Sequence, residues 1–210
     1  MSQGQNIHSI EVVSCRLGDI AEVFAGVGVS REDTLDRDGE KLPMIGVRDL
    51  ADDGVAAVHD LDVVGFSRPE KAEPYRVRQG DTLITGRGTA MKFGLVSPET
   101  ERAVASSNII VIRPHEGVVP AALYAIVSSE AFRPKIELLR RGSTTLLSLS
   151  AKDLKKLQVQ LPPIDEQRRI AALMIEAREA YLTATKSAEL RRELARQLIG
   201  QRLFGSEIER

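Results

Sequence analysis

No tryptophan occurs in this 210-residue sequence, and the other aromatic residues are 3 tyrosines and 5 phenylalanines. Proteins that hold single-stranded nucleic acid stack bases on aromatic side chains, so that class is disfavoured. The one cysteine, Cys15, excludes an internal disulfide and any cysteine-rich zinc site. It reads as a small buried side chain rather than a nucleophile. The three histidines, His8, His59 and His115, lack the spacing of metal ligands, and each is expected at the surface. No apolar run approaches the roughly 18 residues of a membrane span, and the start of the chain lacks the charged, apolar and small-residue parts of a secretory signal. These absences predict a cytoplasmic protein with no metal, no cofactor and no membrane segment.

A recognisable catalytic apparatus is missing too. Phe24-Ala25-Gly26-Val27-Gly28 matches the Phe-x-Gly-x-Gly cofactor loop of adenine methyltransferases. Such a loop should follow a buried strand, whereas the residues before it read as a short helix over 16–24. No Asn-Pro-Pro-Tyr or Asp-Pro-Pro-Tyr segment accompanies it. Gly86-Arg87-Gly88-Thr89 lacks the lysine and the spacing of a nucleotide P-loop. No Ser/His/Asp grouping can be defended, and there is no Glu-x-Lys signature of common nucleases. The expectation is a non-enzyme. A stand-alone methyltransferase remains an alternative that would need the Phe24–Gly28 loop to hold its cofactor.

What is present is unevenly distributed charge. The chain carries a net charge of −1, yet residues 31–73 hold 12 acidic and 6 basic side chains. Residues 76–113 hold 6 basic and 3 acidic, and residues 133–156 hold 7 basic and 2 acidic. Duplex DNA is bound largely by neutralising phosphates, so the two basic segments are the candidate DNA surface; solvated charge on ordinary faces is the alternative. Each basic segment contains a glycine loop next to a regular element. Thr85 to Lys92 follows a strand candidate and offers Arg87, Thr89 and Lys92. Arg140 to Thr145 follows a helix candidate and offers Arg140, Arg141, Ser143, Thr144 and Thr145. Glycine lets a backbone approach a partner, while arginine and lysine donate to phosphates or guanine edges. The structural alternative makes the glycines turn residues and Gly142 a helix C-cap.

Short strand candidates crowd the first half of the chain: 42–47, 55–58, 75–78, 82–85, 93–97 and 108–112. Helical patterns follow at 121–129 and 132–140, with an N-capped turn at Ser150. Residues 1–13 and 30–41 read as polar or charged loops. Strands followed by helices argue an α+β fold. Leu157, Val159 and Leu161 alternate as a last strand. Pro162 and Pro163 then stop the ladder, and Asp165 and Glu166 favour the start of a helix. No glycine or proline follows until Gly200. The division expected is a compact domain over 1–163 and a long helix over 164–205.

That helix carries an apolar seam. Ile170, Ala177, Ala184 and Leu198 recur at seven-residue spacing, with Arg191 breaking the series, while Leu173 or Met174, Tyr181, Ala188 and Ala195 supply a second position. The stripe drifts to Leu190, Leu194 and Leu198 near the end. This is an a/d-like pattern with a shift of phase, and a helix near 60 Å long exceeds the width of its own domain. It predicts a partner helix; a core helix folded back on the domain is the alternative.

These residues together resemble the DNA-specificity subunit of type I restriction–modification systems. The resemblance rests on Leu17-Gly18-Asp19-Ile20, Gly80-Asp81-Thr82-Leu83-Ile84-Thr85 with Gly88, and Ser106-Ser107-Asn108 before Ile112-Arg113-Pro114. It continues through Arg141-Gly142-Ser143 and the Leu161 to Ile170 junction. It implies a non-catalytic target-recognition domain that reads half of a split sequence in double-stranded DNA. It also implies a spacer helix that docks a DNA methyltransferase subunit, with a restriction or translocase subunit as a further partner. A typical member has two recognition domains and two spacer helices. This chain shows one of each, so a homodimer is expected, with a scaffold that has lost DNA reading as the competing function.

Overall fold

The structure is a computed structural model, and it describes residues 11–29, 40–51, 54–66, 68–143 and 146–204. The first elements are β1 (Val13–Arg16), α1 (Leu17–Ile20), β2 (Ala21–Ala25), β3 (Glu40–Ile45), β4 (Leu50–Ala51), β5 (Gly54–Val55) and β6 (Asp62–Phe66). Next come β7 (Thr82–Thr85), β8 (Arg87–Gly88), β9 (Phe93–Leu95), β10 (Val104–Ala105), β11 (Ile109–Pro114), α2 (Pro120–Ser128) and α3 (Arg133–Glu137). The chain continues through β12 (Arg141–Ser143), β13 (Leu146–Ser148), α4 (Ala151–Leu154), β14 (Gln158–Leu161) and α5 (Ile164–Phe204). The fold is α+β: short strands dominate the first half and helices the second.

A four-stranded antiparallel sheet, ordered β2-β11-β7-β9, organises the core. Its central strand explains itself from sequence. Ile109-Ile110-Val111-Ile112 is apolar without alternation, as a strand covered on both faces must be, and all four side chains are buried. One face packs into a cluster with Ile45, Leu50, Leu61, Leu83 and Ala105. The helix α2 crosses β7, β9 and β11 and buries Ala122, Leu123 and Val127. A second sheet, β10-β3-β6, carries Pro43 inside β3. The proline is tolerated because β10 pairs only with Met44 and Ile45, so β3 has a free edge where the N–H is missing.

Three local expectations change. Residues 16–24 are a single turn, α1, followed by β2, rather than one helix. Ala21 and Val23 are buried while Glu22 is exposed, a period-2 pattern fixed by pairing with β11 far along the chain. The helix expected over 132–140 shortens to α3, and Leu139 and Arg140 close tight three-residue turns instead. Ser150 does precede α4 and accepts Asp153 and Leu154 N–H groups on its carbonyl, but its hydroxyl makes no capping bond.

The 164 start of the long helix is as expected. Pro163 O accepts the N–H groups of Glu166 and Gln167, and Asp165–Arg168 and Glu166–Arg169 form pairs along the first turns. Gln167 is almost fully buried: its Oε1 accepts Val119 N–H at 2.9 Å and its Nε2 donates to Pro162 O at 2.9 Å. The chain divides into two compact units at Ala171/Ala172, inside this continuous helix. No helix among the described residues is long and apolar enough to cross a membrane.

Candidate nucleic-acid interface

The two glycine loops, separate in sequence, are joined in a three-stranded sheet ordered β12-β13-β8. Arg141 pairs with Ser148, and Ser148 pairs with Arg87. Residues directly opposite one another project to the same face, so Arg141, Ser148 and Arg87 form a row across all three strands. All three are exposed. Leu146, two residues before Ser148, belongs to that face. Leu147 belongs to the other and pairs with Gly142 and Gly88.

Backbone bonds hold this sheet on the core. Gly86 N and Arg87 N both donate to Asn108 O, at 2.7 and 3.1 Å, and Leu149 N donates to Gly86 O at 2.7 Å. Lys92 N donates to Thr85 Oγ1 and Thr85 N to Lys92 O, closing the loop that carries Arg87 and Thr89. Gly142 is not a helix cap. It sits in β12 with φ of +140°, and a Cβ there would lie 2.3 Å from Leu146 O. Only glycine admits that approach.

Arg140, one of the loop residues expected to donate to DNA, has its guanidinium engaged within the protein. Its side chain is 3% exposed. The guanidinium donates to Gly88 O at 2.6 Å, Thr89 O at 3.3 Å and both Glu137 carboxylate oxygens at 3.1 Å. A guanidinium so engaged ties one loop to the other and has little left to offer a phosphate. Thr89 is exposed with its carbonyl taken by this bond. Ser143 pairs through its backbone with Leu146. Thr144 and Thr145 lie outside the described residues.

Arg87, Lys92 and Arg141 form no ion pair with a described residue, whereas Arg48 is tied to Asp49 and Asp62, and Arg76 to Glu40 and Glu73. Arg113 makes a two-pronged bond to buried Asp81, with 3.0 and 2.8 Å separations. Near the row, a hydrogen bond from Lys156 holds the Asp153 carboxyl below the usual carboxylate range, and the fields of Arg141 and Lys152 act in the same direction. A cationic row without ion-pair partners among the described residues can meet phosphates or guanine edges. Ser148 and Leu146 were not anticipated as members of this face. Their signal is the period-2 register of a strand too short to stand out beside the glycine loop.

The other sequence candidates resolve as structure. The Phe24–Gly28 loop does follow a strand, β2, contrary to expectation, but a Cβ at Gly26 would sit 2.2 Å from Ala105 O and 2.3 Å from Ser106 O. Gly26 N and Val27 N bond to Ile109 O and Ala105 O, so this glycine serves a close backbone crossing. Cys15 is half-buried, and burial, helped by the charge of Asp19, pushes its thiol up, away from thiolate chemistry. No metal-binding group of His, Cys, Asp and Glu occurs among the described residues. On α5, Ile170 is half-buried, while Leu173, Ala177, Tyr181, Ala184, Leu194 and Leu198 are all exposed.

The described residues join two glycine loops in one exposed basic sheet and end in a long helix with an apolar seam. The model of the type I restriction modification DNA specificity domain matches residues 10–192, and the chain belongs to that family. A protein of Methanocaldococcus jannaschii assigned as type I restriction enzyme MjaX specificity subunit is 23% identical over 182 residues, covering 83% of this chain and 41% of the relative. Among solved structures, the S subunit of a type I system from M. genitalium superposes with a TM-score of 0.63 at 13% identity, covering 97% of this chain and 48% of that one. The HsdS subunit from Thermoanaerobacter tengcongensis gives 0.55 at 19% identity, with coverages of 90% and 42%. The chain thus spans less than half the length of these relatives. The likeness to these solved structures is one of fold.

Proposed function

We propose that the chain is a sequence-specific, duplex-DNA-binding specificity component that directs a partner DNA methyltransferase to its target, acting in the cytoplasm as a homodimer through α5. A restriction or translocase subunit joins the same assembly. The observation that carries the reading is the register Arg141–Ser148–Arg87: two guanidiniums with no ion-pair partner among the described residues flank a hydroxyl on one exposed face. Outer strands of a three-stranded sheet lie about 10 Å apart, within a major groove about 12 Å wide. Arg87 and Arg141 then read bases, Lys92 contacts phosphate, and Arg140 positions the two loops.

The test is selection from randomised duplex pools by the purified chain with its methyltransferase, followed by binding over a salt series. Loss of a guanine-reading arginine should cost about 1–3 kcal/mol and relax specificity at one position. Arg87→Ala and Arg141→Ala are expected to do that. Arg140→Ala should instead blur several positions at once, because it loosens both loops, while leaving the salt slope near the wild-type value. Unchanged affinity and specificity in all three variants would move the reading surface elsewhere.

A second expectation concerns autonomy. With a net charge of −1 there is little long-range attraction to a polyanion, so the isolated chain should bind its target far more weakly than the complex does. Specific binding by the chain alone in the nanomolar range of autonomous readers, measured by fluorescence anisotropy at physiological salt, would contradict this.

A further inference from the structure

One residue on the reading face has the wrong polarity for a solvent-facing strand. Leu146 is 51% exposed, although it shares a face with exposed Arg87, Ser148 and Arg141. On the other face of the same strand, Leu147 is the half-buried one. Inward packing therefore does not explain a leucine at 146, since its neighbour supplies the packed side chain. An exposed leucine alone is unremarkable; one aligned with two unpaired guanidiniums on a three-stranded sheet is a surface feature with a definite chemical complement. Such a face attracts DNA by charge. In the major groove the apolar feature is the C5 methyl of thymine, which side chains recognise by van der Waals contact.

We propose that Leu146 is a specificity-determining residue that contacts a thymine methyl, so that the target contains a required thymine close to the bases read by Arg87 and Arg141. This inference rests on the DNA-reading role given to the sheet above. Residues two apart on a strand are about 6.6 Å apart, and successive bases of one strand rise about 3.4 Å. The thymine therefore falls about two base pairs from the positions whose discrimination depends on the arginine row.

The experiment uses the chain in complex with its methyltransferase and the duplex recovered by pool selection. Each thymine is replaced singly by deoxyuridine, which removes the methyl and nothing else. Wild type should lose about fourfold in affinity at one position, the worth of one buried methyl-sized group. Leu146→Ser and Leu146→Ala should bind thymine and uracil duplexes equally, with wild-type circular dichroism and melting. Arg141→Ala should keep the thymine preference while losing discrimination at a neighbouring base. The proposal is overturned if no thymine is sensitive, or if both Leu146 variants retain the wild-type preference. It is also overturned if those variants lose the methyltransferase in DNA-free pull-downs while keeping that preference, because Leu146 would then face protein. Failure of the underlying reading looks different: Arg87→Ala and Arg141→Ala would bind all duplexes as wild type does.

Discussion

Replacing Asp81 by asparagine should lower folding stability by about 3–5 kcal/mol, the range for removing one partner of a buried ion pair. For a chain of this size that corresponds to a fall in Tm on the order of 10 °C. Asp81 is 1% exposed, and burial is the strongest influence on its carboxyl, pushing it up. Opposing that, it accepts two bonds from Arg113 and the N–H of Arg78 at 2.8 Å. Arg113 in turn donates to Arg76 O at 2.8 Å and lies 5.2 Å from the Phe24 ring centre. Asparagine cannot satisfy the guanidinium's charge, which is itself largely buried. Arg113→Met should be costly for the converse reason, stranding a buried carboxylate. The double variant should recover part of the loss, because an uncharged pair avoids desolvating either charge. A double-mutant cycle by urea denaturation measures the coupling. Single variants within about 1 kcal/mol of wild type would show that solvent reaches the pair.

That ion pair also accounts for which parts of the molecule were legible in sequence. The segments that carried the family resemblance are mostly packing devices. Gly80-Asp81 and Arg113-Pro114 stand 32 residues apart and meet in this bond. Asn108 O receives Gly86 and Arg87 N–H groups; Gln167 anchors the start of α5 to Val119. Gly18 lies against Lys155, with its N–H on Lys155 O. Such residues hold the fold together, so they point to a family without announcing a target. Elements with a strong local pattern, the continuous apolar run of β11 and the seam of α5, could be read directly. β2 could not, because its partner strand lies nearly 90 residues away and its few residues suit either a helix or a strand. The proposed reading face was half legible. The glycine loops drew attention through composition, but Ser148 and Leu146 enter it only through register, which no local pattern fixes. The burial of Arg140 was illegible for the same reason: nothing in Arg140-Arg141-Gly142 tells which arginine turns inward to Gly88 O.

Replacing Leu173 and Tyr181 together by glutamate should convert the protein from dimer to monomer. Both lie on the α5 seam with Ala177 and Ala184, and they are 69% and 57% exposed. The helix continues for several turns beyond them with Leu190, Leu194 and Leu198 equally uncovered. Apolar side chains in heptad-like register stabilise a helix by burying the seam against another helix. A two-fold pairing would present two copies of the Arg87–Ser148–Arg141 face in opposite senses, so the target should be an interrupted palindrome. Glutamate at both positions places like charges in the seam of each copy, while remaining a good helix former, so the helix itself should persist by circular dichroism. Analytical ultracentrifugation at micromolar concentration reads the assembly state. Joining two readers gains about 10²–10⁴-fold over either alone; the variant in complex should lose that factor on the full palindrome and bind an isolated half-site as wild type does. A wild type that sediments as a monomer, alone and with its methyltransferase, would leave the seam to another protein helix, and the selected target would then be a single asymmetric half-site.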